Sequence, residues 1–415
     1  MEDPSSKGDS PRVLEVLEAL KQASHEIQAH PSPNSDELNS SSAINALLEL
    51  ETEADTILSK DPNLSTLSQH LSNLRALVET LKNSRRRHSI RSFLTRRVST
   101  HSISRVAGSI ESEIQAWIDR ESIETLTRLL REQPKVNNED ELIKLLTQLE
   151  NRVSEGFNRE LQDLVLKSKL FSYLETILCD PNCSKRIREH CAFAIGALIR
   201  FNKDVFVGQV LMGPTISSLV TMGSSASIKV LCSLIRSIKS PLVDEIESLG
   251  NIPKIIMFLD SQDLEIKVLA MDCVLEIGYF GRKEAIEAML KEGLIKKLVE
   301  LQRSELGGDL IDMGRNGGKN DNVKFENNEG VGDGVGVGVG GVEGKRERRE
   351  KRFLEMHPFA SCVARFAVQL EVGEGLRQRE RRAFKQEILV RVREACVSDA
   401  EAATIVAEVL WGSSP

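Results

Sequence analysis

Histidine and cysteine, the residue types that most often do chemistry, are scattered along this chain, seven of each. His190 and Cys191 are adjacent in a helical stretch, so their side chains project about 100° apart and cannot form a nucleophile–base pair. Cys179 and Cys183 lack the second pair of Cys or His that would complete a zinc site. We therefore predict no catalytic residue, no metal ligand and no cofactor, and a protein that is not an enzyme.

A glycine-rich run, GVGVGVGG at residues 334–341, has spacings similar to those of a dinucleotide-binding loop. No strand precedes it and no helix begins directly after it, so the backbone amides that cradle a phosphate are missing. So many glycines cost too much entropy to order. We predict a disordered insertion at 305–352, which ends in the basic run KRERREKR (345–352). That run favours either nuclear import or the first turns of a solvated helix.

A second basic segment, rich in serine and threonine, occupies residues 83–102. Arginines stand two and three residues before both Ser89 and Ser99, a spacing that suits a kinase with acidic subsites. The sequence predicts phosphorylation of these two serines by such a kinase. Anionic lipid, nucleic acid or a plain linker are the alternatives, and the net charge of −7 argues against nucleic acid. The basic patch comprises Arg85, Arg86, Arg87, Arg91, Arg96 and Arg97.

Apolar residues recur every three or four positions along most of the chain, which predicts helices throughout. From residue 119 the pattern itself repeats. An apolar frame with spacings of four, three and four begins at residues 142, 187, 228 and 266, steps of 45, 41 and 38, and again at 359. An apolar pair leads a short helix before each frame. Gly213, Gly250 and Gly293 precede three of these pairs, where glycine can end a helix in a left-handed conformation.

A period near 40 residues belongs to the range of armadillo and HEAT solenoids. The fold class that follows is all-α, with an N-terminal helical bundle before a short armadillo-like solenoid of about five repeats, the fifth interrupted by the insertion. The predicted boundaries are a disordered tail at 1–10, the bundle at 11–82, the basic linker at 83–102, a further bundle helix at 103–118, repeats at 119–304, the insertion at 305–352, and a last repeat with capping helices at 353–415.

Three segments carry a family resemblance. EHCAFAIGALIR (189–200) resembles the third helix of an armadillo repeat, GLIKKLVEL (293–301) resembles a second helix, and residues 250–278 resemble both in succession. The arrangement is similar to plant armadillo-repeat proteins of the U-box group, although no U-box is present. The resemblance implies a protein-binding scaffold or adaptor in ubiquitin-linked or stress signalling. The alternatives are a membrane-peripheral or transport factor that uses residues 85–97, or an accessory subunit of a ubiquitin ligase.

In peptide-binding members of this family, third helices present a Trp and, four residues later, an Asn. The matching pairs here are Phe193 and Ala197, Leu234 and Ile238, Asp272 and Glu276, and Arg365 and Gln369. Because none of them is a Trp/Asn pair, we do not expect a general reader of extended peptides. The predicted protein-binding groove consists of Phe193, Asp272, Glu276, Arg365 and Gln369.

The N-terminus, MEDPSSKGDSP, is polar and is not a secretory signal, and no run of about 18 apolar residues is present. We predict a cytoplasmic protein, with the nucleus as an alternative, whose partners are other proteins and whose membrane contact is at most peripheral.

Overall fold

The computed structural model describes residues 17–22, 24–25, 65–85, 90–132, 139–307 and 353–411, and for residues 65–66, 78, 80–85 and 90–100 it describes the backbone alone. These described residues contain helices and no strand. They divide into two compact units, one of residues 1–133 with 158–171, and the other of residues 134–157 with 172–415. The predicted tail at 1–10 and most of the insertion, residues 308–352, lie outside the described residues.

The first unit is built around a long helix. Its labelled helices are α1 (Ser65–Arg85), α2 (Ile90–Arg131) and α4 (Arg159–Lys167), and both α1 and α4 pack against α2. Leucines 67, 71 and 74 of α1 are buried, as are isoleucines 103, 110 and 114 of α2. These are positions of the apolar stripes that the sequence places on single helical faces.

Helix α2 differs from the sequence prediction, which has a linker at 83–102, a helix at 103–118 and the first repeat from 119. The structure instead has one continuous helix of 42 residues from Ile90 to Arg131. No proline occurs between residues 90 and 131, and Gly108 is the one glycine. The segment therefore has no strong helix breaker at either predicted boundary, and a single glycine costs a helix only about 1 kcal/mol.

The second unit is a succession of short and long helices. They are α3 (Glu139–Ser154), α5 (Leu170–Cys179, which begins in the first unit), α6 (Lys185–Phe201), α7 (Lys203–Met212), α8 (Thr215–Met222), α9 (Ser225–Ile238), α10 (Ser240–Ser248), α11 (Ile252–Met257, continued by a 3₁₀ turn, Phe258–Asp260), α12 (Leu264–Phe280), α13 (Lys283–Lys291), α14 (Leu294–Arg303), α15 (Cys362–Val372), α16 (Gln378–Ala395) and α17 (Asp399–Trp411).

Three of the repeats have three helices each, namely α7–α8–α9, α10–α11–α12 and α13–α14–α15. The long third helices pack in series, α3 on α6, α6 on α9, α9 on α12 and α12 on α15. Three helices per repeat, each contacting mainly its neighbours, is the armadillo-like form of an α-solenoid. The predicted all-α, armadillo-like fold class is confirmed.

The frame residues of the third helices line the core of the solenoid. All four frame residues of α3 and of α6 are buried, and so are Ala270, Cys273 and Ile277 of α12. Ile266, the first of that last frame, is half-buried because it lies in the first turn of its helix. In the interrupted repeat, the Phe359 backbone N–H donates to the Leu306 carbonyl at 3.2 Å, so the chain re-enters the solenoid beside the point where it left.

Two of the three predicted left-handed glycines have that conformation. Gly250 has φ 62° and Gly293 has φ 75°. The prediction is wrong for Gly213, whose φ is −100°. Close packing accounts for glycine there, since a Cβ at this position would lie 2.6 Å from the Gln209 carbonyl oxygen and would collide with the Glu175 carboxylate.

No single helix of the described ranges is both long and apolar enough to cross a membrane. The pair α7 and α8, bent by 70° at their junction, meets the length and composition requirement only when the two are taken together.

Candidate protein-binding surface

The third helices α6, α9, α12 and α15 leave one face of each helix partly exposed. We call the residues on that face the ladder surface: Phe193 of α6, Ser233 and Arg236 of α9, Asp272 and Glu276 of α12, and Arg365 and Gln369 of α15. All seven are half-buried or exposed. Because each helix packs on the next, these positions form successive rungs along the solenoid.

The five residues of the predicted groove belong to the ladder surface. The aligned positions Ala197, Leu234 and Ile238 do not, because they are buried. On α9 the apolar face spans residues 230, 231, 234, 235 and 238, so the exposed positions fall at 229, 233 and 236. The predicted groove includes no residue of α9, and the structure leaves Ser233 and Arg236 on the accessible side of that helix. Their polarity among apolar neighbours was the available signal.

The best-formed rung joins α9 to α12. Arg236 Nε donates to Glu276 Oε1 at 2.6 Å, and this hydrogen bond raises the pKa of the Arg236 guanidinium. Charge-assisted bonds of this length are roughly twice as strong as neutral ones. The side chain of Arg236 remains 57% exposed, so the pair is accessible to a partner.

Asp272 lies between cations on both neighbouring helices. Partial burial raises the pKa of its carboxyl group, and this effect outweighs the opposing influence of Arg365 and Arg236. The Arg365 guanidinium also donates from Nη1 to the Pro358 carbonyl at 2.7 Å, which ties it to the segment that re-enters the solenoid after the insertion. The ladder surface thus contains a carboxylate that is poorly solvated and only partly compensated.

At its other end the ladder surface continues through Arg200. This side chain donates from Nη1 to Ser233 Oγ at 3.2 Å, and its Nη2 lies 3.9 Å from Glu150 Oε1 on α3. Phe193 stands half-buried on the same helix, with its ring edge-on to that of His190 at a centroid distance of 6.3 Å. An aromatic anchor beside charged rungs is a composition typical of protein-recognition surfaces.

The cysteine side chains are placed for packing. Cys191, Cys232, Cys273 and Cys362 are buried. Burial raises the pKa of the Cys191 thiol, and it raises that of Cys362 to about 12. Both thiols are therefore protonated near neutral pH, whereas nucleophilic attack requires the thiolate. Within the described ranges, no group of three or more His, Cys, Asp and Glu side chains could hold a metal ion.

The predicted basic patch is described only in part. Arg86, Arg87 and Ser89 lie outside the described residues. Arg85 ends α1, and Arg91, Arg96, Arg97 and Ser99 lie on α2, in each case with the backbone alone described. The structure places Ser99 within a helix and leaves the phosphorylation and membrane predictions untested.

Comparison with known proteins yields no match to any family model and none to a curated protein. Among solved structures, the chain is similar to the designed armadillo repeat protein YIII(Dq)4CqI, at 15% identity over 69% of this chain and 98% of that one, with a TM-score of 0.38. A designed armadillo repeat protein in complex with peptide (KR)4 gives the same values. An engineered protein matches at 15% identity over 97% of this chain and 98% of its own, with a TM-score of 0.40.

Proposed function

We propose that this chain is a non-enzymatic scaffold or adaptor that binds another folded protein or a helix through the ladder surface. The carrying observation is the placement of Asp272, Glu276 and Arg236 on adjacent third helices, where they form a charged, half-buried row beside Phe193 and Arg200. A solenoid presents an extended, shallow surface, which suits a protein ligand better than a small substrate.

The charged residues of the ladder surface also favour a folded partner over an extended peptide. The positions that would carry a Trp/Asn pair on α9 are the buried Leu234 and Ile238, so this helix offers no amide to clamp a peptide backbone. The exposed guanidinium of Arg236 and the carboxylate of Asp272 can instead form charge-assisted hydrogen bonds with side chains of the partner.

The test is charge reversal on the full chain. Proximity labelling and pull-down with the variant Asp272→Lys, Glu276→Lys, Arg365→Glu should lose partners that the parent retains. The matched control is Lys283→Glu, Glu284→Lys, Glu287→Lys on α13, where all three side chains are exposed and the change in net charge is the same. The affinity of one recovered partner should then fall at least about tenfold in the ladder variant and stay constant in the control. Equal loss in both variants, or in neither, contradicts the proposal.

The resemblance to U-box-group proteins extends this proposal to ubiquitin-linked or stress signalling, with an accessory role in a ubiquitin ligase as one form of it. If so, partners recovered through the ladder surface should include ligase components or ubiquitinated proteins. The alternative of a membrane-peripheral or transport factor rests on the arginines of segment 85–97. Salt-sensitive binding to anionic liposomes, abolished by replacing Arg85, Arg86 and Arg87 with Gln, would support that alternative.

A further inference from the structure

The C-terminal end of the solenoid has an outer face that no described helix covers. Helix α16 packs on α14, and α17 packs on α15 and α16, so these two helices form the last layer of the described solenoid. The terminal repeat of a solenoid normally turns a polar face outward. Here Trp411 is 81% exposed, Val397 is 78% exposed, and Leu410 is also largely exposed.

These apolar side chains line an open trough along α17 and the turn before it, and α16 contributes Arg393. Its volume is about 730 Å³, and the exposed residues Ala403 and Ala407 line it with small side chains that leave room for close approach. Trp411 is the largest side chain that lines the trough. The trough lies on the solenoid's end layer and shares no residue with the ladder surface.

The rim of the trough carries one charge of each sign. Arg393 lines it from the last turn of α16, and Asp399 from the first turn of α17. Both side chains are exposed, and within the described part of the chain neither side chain makes a hydrogen bond or an ion pair. A rim with one free cation and one free anion is complementary to a copy of itself.

We propose that this end face, defined by Arg393, Val397, Asp399, Leu410 and Trp411, is a self-association site that takes a second copy of the same chain. A two-fold axis through the trough would bring Arg393 of one copy to Asp399 of the other, twice, and would bury both tryptophans. The second copy would cover the apolar side chains that no described helix covers. This inference is independent of the proposed function of the ladder surface.

The experiment measures the molar mass of the full chain by light scattering and sedimentation over a range of concentrations. The expected result is a reversible shift from the 46.1 kDa monomer to twice that mass. Trp411→Ser should raise the dimer dissociation constant at least about tenfold, as loss of a central aromatic anchor does. Met212→Ser removes an equally exposed apolar side chain from α7, far along the chain from this face, and should leave the dissociation constant unchanged.

Charge reversal separates a second copy from any other occupant. Arg393→Asp alone and Asp399→Arg alone should each weaken the dimer, because each places like charges opposite one another. The double variant should recover the parent's dissociation constant, since the reversed pair is again complementary. A chain that stays monomeric at every concentration, a dimer that Trp411→Ser does not weaken, or a double variant as weak as the two singles combined would overturn the proposal. Circular dichroism confirms that each variant remains folded.

Discussion

At the scale of single residues, glycines show most directly how backbone conformation constrains this sequence. Gly250 has a positive φ, and a Cβ added there meets no atom within 4 Å. Glycine is therefore required at residue 250 by the backbone conformation, and neighbouring atoms leave room for a side chain there. Gly208 is also without neighbours within 4 Å but lies inside α7 with ordinary helical geometry. The two positions form a matched pair with opposite expectations.

We expect Gly250→Ala to lower the free energy of unfolding by about 1 kcal/mol, because a left-handed conformation costs an L-residue roughly that much. Gly208→Ala should raise it by up to about 1 kcal/mol, since alanine is the better helix former. Urea denaturation of both variants, followed by circular dichroism, measures the two changes. Changes of the same sign would show that the αL geometry at residue 250 is not what requires glycine.

The Asp272 carboxyl group of the ladder surface should make the stability of the protein depend on pH. Its pKa is raised in the folded state, so ionisation of this carboxyl group opposes folding. The cost is absent below the unfolded pKa, near 3.9, and is fully present once the pH exceeds the raised folded value. We therefore expect Asp272→Asn to be more stable than the parent at neutral pH, with the difference shrinking to nothing as the pH falls below about 4.

Urea denaturation of the parent and of Asp272→Asn across this range checks the prediction, and the difference between them isolates residue 272 from other acids. A variant that is less stable at neutral pH would mean that the attraction of Arg236 and Arg365 to the Asp272 carboxylate stabilises the fold by more than the burial of that carboxylate destabilises it. A destabilising carboxyl group on a half-buried, accessible face is the pattern expected of a binding residue.

Whether the sequence can locate the candidate surface depends on how many residues of each third helix are buried. The four-three-four frame identifies the centre of the buried face but not its width. On α12 and α15 the frame and the groove positions separate cleanly, and the structure leaves Asp272, Glu276, Arg365 and Gln369 half-buried. On α9 eight residues are buried, which reaches Leu234 and Ile238 and leaves Arg236 as the exposed rung. The width of the buried face depends on how the neighbouring helices pack against it, and this packing cannot be read from a single sequence.

At the scale of helices, the sequence predicted second and third helices but none of the first helices of the repeats, α7, α10 and α13. These elements have nine or ten residues, and α7 buries only Phe206 and Val210. Two apolar positions cannot define a helical period, so α7 has no clear pattern in the sequence. Their ends depend on tertiary contacts. Lys239, the residue before α10, has a φ of 70°, and its ammonium group binds Glu374 at 3.0 Å.

The last helix is held by a buried polar cluster around Glu408. Ser361 Oγ donates to Glu408 Oε1 at 2.5 Å, and Gln302 Nε2 donates to Glu408 Oε2 at 2.9 Å. All three residues are at least 90% buried, and Ser361 has a φ of 45°, uncommon for a residue other than glycine. One carboxyl group thus joins α17 to α14 and to the start of α15.

We expect Glu408→Ala to destabilise the end layer by about 2 kcal/mol or more, because two buried donors lose their acceptor. Hydrogen exchange in residues 399–411 should rise by at least about tenfold if that layer opens locally. Thr404→Ala is the control on the same helix. It removes a hydroxyl that donates to the Ala400 carbonyl of α17 itself at 3.0 Å, so it should leave the exchange of this layer nearly unchanged. Equal exchange in the two variants would show that the cluster does not hold α17.

At the scale of the whole chain, the repeat period was the most informative sequence feature. It depends on summed apolar burial over many residues, which local errors do not erase. The continuous helix α2 shows the limit. A basic, Ser-rich composition resembles a linker, yet residues 90–131 contain no proline and one glycine, and the backbone remains helical through them. The basic composition indicates that this segment is exposed to solvent. It does not indicate the backbone conformation, which stays helical because no proline interrupts the segment.

The insertion allows a test of whether the interrupted repeat is held together by contacts between its own helices. Leu306 and Phe359, on the two sides of residues 308–352, are joined by a backbone hydrogen bond. Cys362 Sγ lies 3.0 Å from the Leu298 carbonyl and adds a direct contact between α14 and α15. Since each repeat is stabilised by its neighbours, the interrupted repeat should close as well with a short connection as with a long one.

Replacing residues 308–352 with ten residues of Gly and Ser should therefore preserve the helical content and the binding of ladder-surface partners. The free energy of unfolding should rise by about 1 kcal/mol, the loop-closure entropy saved when the loop shortens to roughly a third of its length. Circular dichroism and urea denaturation of the two proteins make the comparison. A loss of stability would mean that the insertion contributes contacts of its own to the solenoid. Lost binding with stability intact would instead assign part of the binding surface to residues 308–352.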